Sequence, residues 1–130
     1  MRVEDLGSLS PKEDRRVGAV LGLAVGDALG ARYEFCGPEE VPEGPLEILG
    51  GGWLDLDPGQ TTDDTALFRA VLKGYEDGGL DLRRVRDEML LWQESDPPDI
   101  GNQTSVAFGH LRRHPEALSL PEHPNAQGNG

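Results

Sequence analysis

The sequence predicts an all-α fold. Three observations carry that reading: four segments with apolar residues at helical spacing, start or stop signals at most of their ends, and no alternating stretch that reads as a strand. There is no internal repeat, and 130 residues suffice for one domain of ordinary size.

The first helix starts at Ser10-Pro11-Lys12-Glu13. Ser10 suits the N-cap, Pro11 the first helical position, and Glu13 completes a capping box. The helix then runs through VGAVLGLAVGDALGARY. Gly18, Gly22, Gly26 and Gly30 recur every fourth residue and so share one face. Each glycine costs a helix about 1 kcal/mol relative to alanine. A stripe of four implies a return, namely close approach of another helix or of a ligand.

Residues 36 to 61, rich in Gly and Pro, read as a long loop with a short extended piece around Leu46 to Leu49. A second helix is expected from Thr62 to Tyr75, closed by Gly78-Gly79. Asp81 caps a third, which lines up Leu82, Val85, Met89 and Trp92. The chain breaks at Asp96-Pro97-Pro98-Asp99. A fourth helix follows from about Gln103 to Arg113, with Val106, Ala107, Phe108 and Leu111 inward, and Pro115 stops it. A turn-rich tail ends the chain.

Composition excludes several functions. The net charge of −12, from 24 acidic and 12 basic residues, argues against nucleic acid and against an anionic membrane surface, and it suits a divalent cation. Most of these carboxylates read simply as solvated surface. One cysteine, Cys36, permits no internal disulfide and fits a reducing cytosol, so the expected location is cytoplasmic. The charged N-terminus carries no signal-peptide pattern. The apolar stretch from Val17 to Val25 is too short to span a bilayer.

The segment GQTTDDTALF places Thr62, Asp63 and Asp64 at a helix start. Inside a helix three consecutive side chains diverge by about 100° each, but in the first turn they can converge. Two carboxylates 4 Å apart repel by roughly 4 kcal/mol at an effective dielectric of 20. The helix dipole offsets only about 0.3–1 kcal/mol for each. A divalent cation offsets far more, and an all-oxygen donor set selects Mg²⁺, Mn²⁺ or Ca²⁺ over zinc. Thr61 to Asp64 equally fits a capping box, so the stretch alone leaves cap and metal site both open. Asp27, in an apolar context, is either a buried carboxylate accepting backbone hydrogen bonds or a functional group. Glu34 by itself reads as surface, and Asp99 as a turn residue. His110, His114 and His123 lack ligand spacing, and Trp53 and Trp92 read as core or lid packing. No Ser-His-Asp arrangement, Walker A motif or dinucleotide glycine pattern is present.

Taken in order, GAVLGLAVGDALGARYEF, GQTTDDTAL, PPDIGNQT and QGNG resemble the ADP-ribosylglycohydrolase family over nearly the whole chain from Val17 on. The resemblance implies the N-terminal part of an orthogonal all-α bundle, with a Mg²⁺ or Mn²⁺ centre of two ions in the full-length family member. It implies removal of ADP-ribose from a protein side chain or a small conjugate, so the expected partner is an ADP-ribosylated protein or ADP-ribose conjugate. By motif match, Thr62, Asp63 and Asp64 become metal ligands, and the metal reading of the stretch becomes the favoured one. Glu34 becomes the mobile acid that meets the ribose, and Asp99 the acid/base. Asp27 is placed with the substrate-binding residues, and Gly128, Asn129 and Gly130 with the glycine-rich loop that holds ADP-ribose.

One departure bears on activity. The family's second metal-ligand cluster, two Asp and a Thr, has no counterpart in these 130 residues, so the chain is expected to be the N-terminal part of a single domain and inactive or nearly so alone. Helix faces left without cover imply marginal stability, self-association, or pairing with a second chain. The competing readings are a non-catalytic binding or structural relative of the same fold, and an acidic helical fragment with no function of its own.

Overall fold

The computed structural model describes residues 7–76 and 78–120. Among them the chain forms four α-helices, α1 (Pro11–Gly30), α2 (Asp63–Lys73), α3 (Leu82–Glu94) and α4 (Asn102–Arg113), with 3₁₀ turns at Ala31–Tyr33 and Pro38–Glu40 and no β-strand. The all-α expectation holds. No helix of the described residues is long and apolar enough to cross a membrane. The chain divides into two compact units, Met1–Thr61 and Thr62–Gly130.

In the first unit, α1 begins as its sequence dictates. Glu13 N–H donates to the Ser10 hydroxyl at 3.4 Å, and Ser10 N–H donates to the Glu13 carboxylate at 2.9 Å, which closes the capping box. Donation from the Ser10 hydroxyl and then its backbone N–H lowers the Glu13 pKa below the ordinary value. A carboxylate with a depressed folded-state pKa stabilises the fold above its unfolded pKa of about 4.3, and that contribution disappears as pH falls through the lower folded value. Fraying of the first turn of α1 is therefore expected on acidification below about pH 4. Glu13→Gln should flatten that response in a circular-dichroism titration. An unchanged acid profile in the variant would show that the box does not hold this end.

The glycine stripe departs from expectation. A Cβ placed on Gly18, Gly22, Gly26 or Gly30 would meet nothing within 4 Å. Leu21 and Val25 on the same helix are about half exposed, and Ala28 is the buried residue of α1. The close neighbour that the stripe implies is not among the described residues. Asp27 is half-buried rather than buried, so burial of its carboxyl does not follow from the apolar letters around it.

Beyond α1 the loop is more organised than its composition implies. Gly51 and Leu56 pair across an isolated antiparallel bridge, with N–H to O distances of 2.6 and 3.2 Å. Gly50, Gly51 and Gly52 all have positive φ, which glycine adopts without penalty. Arg32 Nη1 donates to the Gly50 carbonyl at 2.6 Å, and a Cβ on Gly52 would collide with the Arg32 carbonyl. The Leu46 to Leu49 piece forms no strand.

In the second unit, α3 packs against α2 and α4. Asp81 caps α3 by accepting from Arg83 N–H and Arg84 N–H at 2.9 and 3.2 Å. α2 ends at Lys73, two residues short of the expected Tyr75, with Gly74 at its C-cap, where a Cβ would strike Val85 of α3. Among the described residues of this unit, Ala70, Val85 and Phe108 are the buried apolar ones. Trp92 of α3 meets Phe108 of α4 edge to face at 6.2 Å, as its core role requires. Val106 does not turn inward and is 67% exposed. At the rim, Lys73 Nζ and Arg84 Nη2 contact the two oxygens of Glu76 at 2.7 and 2.5 Å. The Lys73 contact comes first among the causes that lower the Glu76 pKa.

Candidate functional site

The segment leading into α2 is set by a local turn. Asp57 N–H donates to the Gln60 side-chain oxygen and Gln60 N–H donates to the Asp57 carbonyl, both at 2.9 Å, around Pro58 and Gly59. Gly59 has φ of 84°, a value a β-carbon would strain. α2 starts at Asp63, one residue later than the sequence implies, with Thr62 in the N-cap position.

That register bears on the choice between a capping box and a metal site. A box over Thr61 to Asp64 requires Thr61 at the N-cap. The residue in that place is Thr62, with φ −113° and ψ −149°, and its side chain makes no capping hydrogen bond. Asp63 and Asp64 follow in the first turn, near the positive end of the helix. Thr62 and Asp63 are half-buried and Asp64 is exposed. Three hard-oxygen side chains thus follow one another at one helix start, and oxygen donors of this kind suit Mg²⁺ or Mn²⁺. Two carboxylates and a hydroxyl would supply only part of such an ion's shell. Among the described residues no three His, Cys, Asp or Glu side chains group so as to hold a metal ion.

The other candidates take the following places. Asp99 is half-buried in the segment joining α3 to α4, after Pro97 and Pro98 and two residues before the Gly101 N-cap of α4. Asp96 in the same segment has φ of 54°, an uncommon value for a residue with a β-carbon. Asp27 lies in the last turn of α1, and its carbonyl accepts from Ala31 N–H. Glu34 is half-buried and caps the 3₁₀ turn that ends α1, where its N–H donates to the Ala31 carbonyl at 3.3 Å. Gly128, Asn129 and Gly130 lie outside the described residues. Grooves along α3 and between α2 and α3 are lined by residues such as Arg69, Lys73, Glu88 and Leu91, and include none of these candidates.

Sequence reasoning missed one feature. Phe35 and Trp53, far apart in the chain, form an edge-to-face pair with centroids 6.5 Å apart and planes at 72°. Trp53 is 79% exposed and Phe35 69% exposed, so Trp53 is not core packing. The GGGW run was the available signal, since three glycines before a large aromatic imply a backbone bent to present that ring.

Comparison with known proteins agrees with the motif reading. The family model described as ADP-ribosylglycohydrolase matches residues 8–130. The chain is 41% identical over 121 residues to the ADP-ribosyl-[dinitrogen reductase] glycohydrolase of Rhodospirillum rubrum, an alignment covering 90% of this chain and 41% of that protein. It is 32% identical over 127 residues to the ADP-ribosylarginine hydrolase Tri1 of Serratia proteamaculans, covering 89% of this chain and 33% of that protein. The chain therefore spans about two fifths or less of the length of these relatives. With the family model matched across nearly all of its residues, the chain belongs to the ADP-ribosylglycohydrolase family.

Proposed function

We propose that this chain carries part of the site of a Mg²⁺- or Mn²⁺-dependent hydrolase that removes ADP-ribose from a protein side chain by cleaving an N- or O-glycosidic bond. The observation that carries the reading is the start of α2, where Thr62 at the N-cap and Asp63 and Asp64 in the first turn put three hard-oxygen side chains in succession. The names of the relatives support the substrate class, because one is named for ADP-ribosyl-[dinitrogen reductase] and the other for ADP-ribosylarginine.

Thr62, Asp63 and Asp64 would hold the cation. A cation held there would supply Lewis acidity and could orient a ribose diol and a water. Cleavage at the anomeric carbon passes through an oxocarbenium-like state, so a carboxylate is needed to move a proton. Asp99 takes that role. Glu34 meets the ribose and Asp27 supports the bound nucleotide. Gly128, Asn129 and Gly130 are the residues assigned to the phosphates, since a glycine-rich turn can offer backbone N–H groups to an anion.

Because the donor set is partial, the 130-residue polypeptide alone should bind ADP-ribose weakly and only with Mn²⁺ or Mg²⁺ present, and should release no ADP-ribose from an ADP-ribosylated arginine protein. Isothermal titration with and without Mn²⁺ tests the first statement. Binding indifferent to metal, or no binding at all, would remove the hydrolase reading. Robust turnover by the purified chain, lost in Asp63→Asn, would show that these residues suffice for catalysis.

A further inference from the structure

By sequence the three histidines lack ligand spacing, but α4 supplies it for two of them. The helix runs to Arg113, and His114 at its C-cap donates its backbone N–H to the His110 carbonyl at 3.0 Å. The two side chains are therefore neighbours four residues apart on one helix face. Their imidazole rings have centroids 4.5 Å apart and planes 33° apart. Two imidazoles that share one ion, each with a metal–nitrogen distance of about 2.0–2.1 Å, need centroids about 4.5–5 Å apart. His110 is half-buried, and the His114 side chain is 51% exposed, so the pair is anchored at one end and open to solvent at the other.

We propose that His110 and His114 form a two-imidazole chelate for Zn²⁺, Ni²⁺ or Cu²⁺, separate from the oxygen donors at the start of α2. Imidazole nitrogen suits these ions, whereas Mg²⁺ and Mn²⁺ prefer carboxylate and water. Histidines at this helical spacing are an established way to hold zinc. The place favours a cation, because the last carbonyls of α4 form the negative end of its dipole. Glu116 Oε1 lies 3.9 Å from His114 Nδ1, so a carboxylate stands beside that nitrogen and leaves Nε2 to the metal. The nearby arginines are turned to other partners: Arg112 to Gln93 and Glu94, Arg113 to the Gly109 carbonyl, and Arg86 to Asp87 and the Pro115 carbonyl. Among the described residues no group of three His, Cys, Asp or Glu side chains could hold an ion, so water completes the shell of a two-donor site.

The test titrates the tag-free 130-residue chain with Zn²⁺ by calorimetry, at mildly alkaline pH where a free imidazole is neutral. Saturable binding is expected, at least tenfold weaker in His110→Gln and in His114→Gln, and unchanged in Asp63→Asn. His123 lies outside the described residues, and His123→Gln should also leave the affinity unchanged. Excess Mg²⁺ should not displace the bound Zn²⁺. Glutamine keeps the bulk and polarity of these surface positions, and an unchanged far-UV circular-dichroism spectrum confirms that α4 remains. Zn²⁺ should also raise the urea midpoint of the unsubstituted chain and not that of His114→Gln, because the pairing exists only in the folded helix. No saturable binding, full affinity in either His110→Gln or His114→Gln, or displacement by Mg²⁺ overturns the proposal. So does an equal loss in His123→Gln or Asp63→Asn. An unmoved urea midpoint overturns it as well, since the unfolded chain would then bind the ion equally.

Discussion

Phe108→Ala should cost the second unit about 3–5 kcal/mol, the largest stability loss expected from any single truncation in this chain. Phe108 is 4% exposed and supplies the partner ring for Trp92. Among the described residues the buried apolar ones are Ala28, Ala31, Leu56, Ala70, Val85 and Phe108, and three of these six are alanines with little more to lose. A core this thin gives Phe108 a disproportionate share of the apolar surface removed from water. Typical domains have only about 5–15 kcal/mol of net stability, so the variant should sit near its unfolding midpoint without denaturant. Val106→Ala on the same helix is the control. Val106 is 67% exposed, and its truncation should change stability by less than about 0.5 kcal/mol. Urea unfolding followed by far-UV circular dichroism reads both. Similar midpoints for the two variants would mean that α4 does not bury Phe108 against α3.

The same pair shows how far the fold was legible in the sequence. Val106, Ala107 and Phe108 are consecutive, so they fan over about 200° of the helix and cannot all face one neighbour. Apolar letters mark a broad arc, and only packing against Trp92 selects Phe108 from it. Helix starts set by local chemistry were readable: Ser10 with Glu13, and Asp81 with its two backbone donors, are satisfied within three residues of the cap. Ends set by a distant neighbour were not. Gly74, at the C-cap of α2, has no room for a side chain beside Val85, a fact spread over two helices. The glycine stripe of α1 shows the converse, since spacing announces a close neighbour without naming it, and no described residue lies there. In the candidate site, the Thr62-Asp63-Asp64 run was legible because its members are adjacent. The Phe35–Trp53 pair was not, because it depends on the bridge between Gly51 and Leu56 and on Arg32 reaching Gly50.

Asp63→Asn separates the two meanings of the α2 start most sharply. Asparagine keeps the size and the hydrogen-bonding capacity that a helix terminus uses, and removes only the negative charge. If Asp63 served the helix alone, the loss would be its interaction with the helix dipole, about 0.3–1 kcal/mol, with no effect on ligand. As a cation ligand, Asp63 contributes a charge that no amide replaces, because Mg²⁺ and Mn²⁺ select anionic hard oxygens. The expected result is at least a hundredfold loss of Mn²⁺-dependent ADP-ribose affinity, about 2.7 kcal/mol, with the urea midpoint nearly unchanged. Asp64→Asn should behave in the same way although Asp64 is exposed and Asp63 half-buried, since a shared cation depends on both charges. Removal of Mn²⁺ by chelator should bring the unsubstituted chain to the level of either variant. The contrary pattern, a shifted urea midpoint with metal-dependent binding intact, would assign both carboxylates to the helix and leave the cation without its ligands.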